Sequence, residues 1–101
     1  MAAAQIYVPE TELAEFCRRN GIRKLSLFGS VLTDRFSESS DVDILVEFDP
    51  AQRVGYLRMA ALERELGGLF GRKVDLRTPD ELSRYFRNDV ARTALTKYDN
   101  Q

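Results

Sequence analysis

The most constraining stretch of the chain is "DVDILVEF" at 41–48, where Val42, Ile44, Val46 and Phe48 fall on every second position. A period of two is the mark of a β-strand with one face on a core. Pro50 ends it. Aspartate is depleted in strands, yet Asp41 and Asp43 stand at the head of this one. Side chains alternate across a strand, so both aspartates point away from the core face. Neighbouring carboxylates repel and raise the pKa of at least one of them. A cation between them would remove that cost.

The rest of the chain supplies the partners such a strand needs. "PETELAEFCRRNG" reads as a helix that places Leu13, Phe16 and Cys17 on one face and stops at Gly21. "IRKLSLF" reads as a strand, with Leu25 and Leu27 on one side and Lys24, Ser26 and Phe28 on the other. Gly29-Ser30 is a turn, and Ser30 is placed to cap a short helix over Val31–Phe36. "SESS" is a polar loop. The longest helix is expected from about Val54 to Phe70, with Met59, Leu62, Leu66, Leu69 and Phe70 as its apolar stripe and Gly71 as its stop. "RKVDLRT" is a third strand. "TPDE" after it carries Thr78 as N-cap, Pro79 at the first position and Glu81 at the capping-box position. The remainder, through "YFRNDVARTALTKY", reads as one or two helices with Tyr85, Phe86, Val90, Ala94 and Leu95 turned inward. The expectation is an α/β (α+β) fold: one domain over 1–101, with a small mixed sheet of three to four strands flanked by helices.

Composition excludes whole classes of chemistry. No histidine is present, which removes Ser-His-Asp hydrolysis and His-ligated zinc. A metal would have to be hard and oxygen-bound. The net charge is −1, so no global field draws nucleic acid or a membrane surface, and no direct nucleic-acid contact is expected. No apolar run approaches the ~20 residues a membrane helix needs. "MAAAQIYV" lacks the basic start of a signal peptide. The lone Cys17 allows no intrachain disulfide and fits a reducing, cytoplasmic setting.

Asp75 repeats the pattern of the first pair, since Val74 and Leu76 alternate with Lys73, Asp75 and Arg77. If the third strand lies beside the second, Asp75 joins Asp41 and Asp43. Three aspartates without histidine describe a Mg²⁺ site, which takes oxygen ligands and substrate phosphates. A bare D-x-D is equally at home as a capping residue and a solvent-facing one, with Asp75 paired to Lys73 and Arg77. Gly29-Ser30 alters that balance. A turn that follows a strand and opens a helix offers free backbone N–H groups to phosphate. Glycine lets the backbone come close, and Ser30 adds a hydroxyl. A phosphate cradle beside a metal-binding carboxylate cluster is the apparatus of nucleotidyl transfer.

"GSVLTDRFSESSDVD", a G-S followed after ten residues by D-x-D, resembles the signature of the polymerase-beta-like nucleotidyltransferase superfamily. With "LSLFGS" before it and "GRKVDLRTPDEL" after it, the chain looks like the minimal nucleotidyltransferase (MNT) proteins from about Leu25 to Tyr98. The resemblance implies a nucleotidyltransferase fold. It implies that Gly29 and Ser30 hold the triphosphate of ATP, that Asp41 and Asp43 bind two Mg²⁺ ions, and that Asp75 is the third carboxylate and helps to deprotonate the acceptor hydroxyl. Many MNT proteins are antitoxins of HEPN-domain ribonuclease toxins and transfer AMP from ATP to a tyrosine of the toxin. The implied partners are therefore a HEPN toxin and ATP, with a homodimer or a hetero-oligomer with the toxin as the assemblies left open. A non-catalytic antitoxin that neutralises by binding alone is the alternative. Relatives often carry an arginine two or three residues after the serine; here Leu32 and Thr33 stand there, and the nearest arginine is Arg35. So short a chain has little left over for an acceptor-binding domain, which favours a protein substrate.

Lys73, Arg72 and Arg77 flank Asp75 and are read as screening triphosphate charge or balancing aspartates, Lys73 being the candidate nucleotide contact. Tyr56, Tyr85, Phe86 and Tyr98 are read as core, with a partner-facing patch as the other option. Arg18, Arg19, Arg23 and Lys24 read as a solvated helix end.

Overall fold

The computed structural model describes residues 6–100, without the side chain of Tyr85. The reading of the first five residues and of an inward Tyr85 lies outside what is described. The order is α1 (Glu10–Arg19), β1 (Ile22–Phe28), a 3-10 turn (Gly29–Leu32), β2 (Val42–Phe48), α2 (Tyr56–Phe70), β3 (Val74–Arg77), a second 3-10 turn (Pro79–Glu81), α3 (Arg84–Thr93) and β4 (Leu95–Asp99). The strands form one sheet in the order β3-β2-β1-β4. β1 is antiparallel to β2 and to β4, whereas β2 and β3 are parallel and joined across α2.

The sheet is closed on one face. Leu25, Leu27, Val42, Ile44, Val46, Val74 and Leu76 meet Leu13, Phe16 and Cys17 of α1 and Leu62 and Leu66 of α2 in one buried cluster. Each such side chain contributes roughly 1.5–3 kcal/mol when fully buried. The alternation of β1 to β3 is thus the fold's main driving force, and it dictates which residues are left for the other face. On that face Phe28, Leu82 and Val90 form a smaller cluster, with Leu45 and Ala94 against it.

Several expectations are corrected. The C-terminal segment is not helical throughout: α3 ends at Thr93, and residues 95–99 pair with β1 as an edge strand. Tyr98 lies opposite Leu25 and packs on the main core. The β-branched and aromatic run "LTKY" wins over continuation of the helix. The helix expected over Val31–Phe36 is only a 3-10 turn, and Thr33 closes it by donating its backbone N–H and its hydroxyl to Ser30 O, each at 2.9 Å. The capping box survives around its single turn, Glu81 accepting the Thr78 backbone N–H at 3.1 Å. α3 takes its own cap from Ser83, whose Oγ accepts from Phe86 N at 3.2 Å. Tyr56 is not core: it is 94% exposed. Phe86 is half-exposed, edge-on to Phe28.

Candidate active site

The register of the sheet builds the site. Val42 lies opposite Val74 and Asp43 opposite Asp75 in the parallel β2–β3 pair, while Phe28 lies opposite Asp43 in the antiparallel β1–β2 pair. Neighbouring residues in register share a face, so Phe28, Asp43 and Asp75 make one row across the face away from α1 and α2. Phe28 is the last residue of β1, and the chain turns directly from it into Gly29. Gly29 has φ of +78°, a conformation open to glycine. A Cβ placed there would collide with Asp43 Oδ2. The Asp43 carboxylate therefore rests against the Gly29 backbone, and the Gly29-Ser30 turn and the central aspartate are built as one unit.

Asp41 stands just ahead of β2, at 4.0 Å from Lys73 Nζ. Asp75 is held by Arg77 at 3.2 Å. Asp43, between them, has its pKa pushed up, first by burial and then by the charges of Asp75 and Asp41, with Arg77 opposing. Burial leads, and the repulsion expected from the alternation of β2 and β3 adds to it. The donor set suits a hard divalent cation, being all oxygen with no histidine. The three carboxylates do not, however, close on one point: among the described residues no group of three Cys, Asp or Glu is gathered to hold an ion. The outer two lean on Lys73 and Arg77 instead.

Two clefts flank this row. The smaller, about 600 Å³, is lined by Gly29, Ser30, Leu32, Thr33, Arg35 and Thr93. The larger, about 880 Å³, is lined by Asp75 and Arg77 with residues of β2, α2 and the Pro79–Glu81 turn. Both fall within the size range of small-ligand sites. Gly29 and Ser30 thus open on one cleft and Asp75 on the other, with the Asp41–Asp43 strand between them. Arg35 is the one cation among the described lining residues of the smaller cleft, and its backbone N–H is held by Thr33 Oγ1 at 3.2 Å. Thr33 and Arg35 line the same cleft, and Thr33 fixes the turn from which Arg35 reaches it. Thr93 reaches that cleft from the end of α3, and no spacing in the sequence signals it.

Arg72 is not beside Asp75. Its guanidinium crosses to the loop ahead of Asp41, donating to Ser37 O at 2.8 Å, and lies over the Phe36 ring. The basic stretch 18–24 is partly neutralised, Arg19 by Glu65 at 2.8 Å and Arg23 by Glu47 at 3.3 Å.

The family described as "Nucleotidyltransferase domain" matches residues 10–97, and the chain belongs to it, in its minimal nucleotidyltransferase branch. Protein adenylyltransferase MntA of Thermococcus cleftensis is 36% identical over 81 residues, covering 80% of this chain and 76% of that one. A toxin–antitoxin crystal structure with AMP-PNP matches with a TM-score of 0.74 at 22% identity, over 93% of this chain and 76% of that chain. A structure of tri-AMPylated Shewanella oneidensis HEPN toxin in complex with MNT antitoxin matches with a TM-score of 0.66 at 22% identity, over 91% and 71% of the two chains. At such identities the two structures are likenesses of fold. None of the described helices is long and apolar enough to cross a membrane.

Proposed function

We propose that this nucleotidyltransferase transfers AMP from ATP to a hydroxyl, a tyrosine in the first instance, of a HEPN-domain toxin, and so acts as its antitoxin. The observation that carries the reading is the row Gly29–Asp43–Asp75, in which a glycine turn touches the central carboxylate and a second carboxylate stands in register beside it. Gly29 lets backbone N–H groups approach the triphosphate. Ser30 donates its hydroxyl there, and Arg35 and Lys73 supply positive charge. Asp41, Asp43 and Asp75 would hold Mg²⁺, which when bound polarises the reacting phosphate and favours the ionised acceptor hydroxyl. Asp75, on the edge strand and open to the larger cleft, stands where an acceptor side chain can enter and lose its proton. The adenylyltransferase name of the Thermococcus cleftensis relative and the AMP-modified toxin bound to the Shewanella antitoxin support the choice of AMP and of a HEPN partner.

A HEPN-domain protein encoded beside this chain is the acceptor to try. Label from α-phosphate-labelled ATP should appear on it in the presence of Mg²⁺, and Asp43→Ala should cut transfer by about 10³-fold or more. The ion pairs of Asp41 and Asp75 favour one second reading, a binder that has no need of turnover. If Asp43→Ala still protects cells from the toxin and no label is transferred, that reading wins.

A further inference from the structure

The loop Ser37–Ser40 is closed on itself. Ser37 N–H donates to Ser40 Oγ at 3.0 Å, Ser40 N–H donates to Ser37 O at 3.1 Å, and the Ser37 hydroxyl lies 3.1 Å from that of Ser39. Arg72 ties this closed loop to the rest of the fold. Its Nη1 lies 2.8 Å from Ser37 O, 3.4 Å from Glu38 O and 3.5 Å from Ser40 O, and its guanidinium stacks 4.5 Å from the centre of the Phe36 ring. Phe36 in turn packs against the main core. A single half-buried side chain thus joins the loop, an aromatic anchor and the end of α2.

The backbone on the other side of Arg72 is equally fixed. α2 ends at Gly71 in the left-handed region, φ +66°, and Arg72 N–H donates back to Gly67 O at 3.1 Å. A Cβ on Gly67 would lie 3.0 Å from Arg72 O, so a larger residue would press on the returning chain. The next residue, Lys73, accepts the Val42 N–H at 2.9 Å, which starts the β2–β3 ladder between Asp41 and Asp43. Arg72 therefore bears on both sides of the D-x-D: through carbonyls just before Asp41, and through the backbone that receives Val42.

We propose that Arg72 is a positioning residue that sets the Asp41–Asp43 strand head against the Gly29–Ser30 turn, without touching nucleotide; for its effect on turnover this rests on the AMP-transfer reading. The planar guanidinium is what the geometry uses, since its Nη1 faces the three carbonyls while its plane stacks on the Phe36 ring. A lysine keeps the charge and loses that stacking plane. Displacements of about 1 Å in such a site cost up to ~10²-fold in rate.

The test compares Arg72→Ala and Arg72→Lys with the native chain, by hydrogen exchange of the apo protein and by kinetics. In both variants the amides of Ser37, Ser40 and Val42 should exchange roughly tenfold faster or more, as expected on losing bonds to a charged donor, while Leu27 in the sheet centre is unchanged. Turnover of AMP transfer should fall by about 10–100-fold with KM for ATP little altered. Unchanged exchange at 37–42, or faster exchange throughout the sheet, would overturn the proposal. So would full rescue by lysine or a rise in KM alone, since either would make Arg72 a charge that meets phosphate. If the native chain transfers no AMP, the AMP-transfer reading fails by itself, and the exchange of Ser37, Ser40 and Val42 decides the clamp.

Discussion

The two faces of the sheet are made from the same three strands and obey opposite rules. Toward α1 and α2, β1 to β3 present Leu25, Leu27, Val42, Ile44, Val46, Val74 and Leu76, all buried. Toward the other side the same strands present Phe28, Asp43, Asp75 and Arg77, and only Phe28 of these is buried. One face minimises free energy by removing apolar area from water. The other holds like charges side by side in register, an arrangement that costs stability while no cation is bound. Residues one position apart thus have opposite effects, and stability on the first face supports strain on the second.

The largest effect should follow from damage to the closed face. Ile44 is fully buried between Leu27 and Leu76 in register. Ile44→Ala should cost about 2–5 kcal/mol and lower Tm by roughly 10 °C or more. Cys17 reports on the same core. It is fully buried and its thiol is pushed up to about 12, chiefly by desolvation with Arg18 opposing, so it should resist alkylation at neutral pH until the core opens. Ile44→Ala should speed Cys17 labelling strongly, whereas Asp43→Asn should leave it slow. Equal labelling in the two variants would show that the faces are not separable.

Gly29→Ala tests the seam between the faces, with an intermediate effect. A non-glycine residue in this left-handed conformation costs about 1–3 kcal/mol, and the new Cβ would also displace the Asp43 carboxylate. Denaturation midpoints should fall, and binding of AMP-PNP should weaken by more than the loss of folded protein explains. A variant that keeps nucleotide affinity would place the phosphates away from this turn.

How much of this contrast could be read in advance depended on the range of each interaction. Val42, Ile44 and Val46 announced the closed face because period two is local, and the same rule put Asp43 and Asp75 on the far side. Their register could be stated only as a condition, since pairing β2 with β3 is set by the α2 crossover and not by either strand alone. β4 escapes a local reading because its partner is β1, far away in sequence, and the strand preference of Thr96 and Tyr98 counts only once that pairing exists. Arg72 was placed next to Asp75 by sequence proximity. Its true partners are carbonyl oxygens, which every residue carries, so no residue type marks them. Thr33 looked like a lost arginine; the turn it closes became visible only with its two bonds to Ser30 O.

The smallest effect is the most telling about the open face. Burial and the charges of Asp75 and Asp41 raise the Asp43 pKa in the native state, with Arg77 opposing. The unfolded carboxyl sits near the ordinary ~3.9. Between those two values the native state holds more protons than the unfolded one, so stability falls as pH rises through that window. Asp43→Asn removes the ionised form that burial and its neighbours disfavour, and should stabilise the cation-free chain above that window. The gain should be no more than about 1 kcal/mol, because these carboxylates are half-exposed and water screens them. It should shrink as pH falls through the raised native value and vanish below the unfolded one, which urea denaturation from pH 7 down to about pH 3.5 would trace. Mg²⁺ with AMP-PNP should reverse the order, stabilising the native chain and not the variant. If Asp43→Asn instead loses stability at pH 7 without ligand, the carboxylate is held by favourable contacts that outweigh its neighbours, and the open face is built for folding like the closed one.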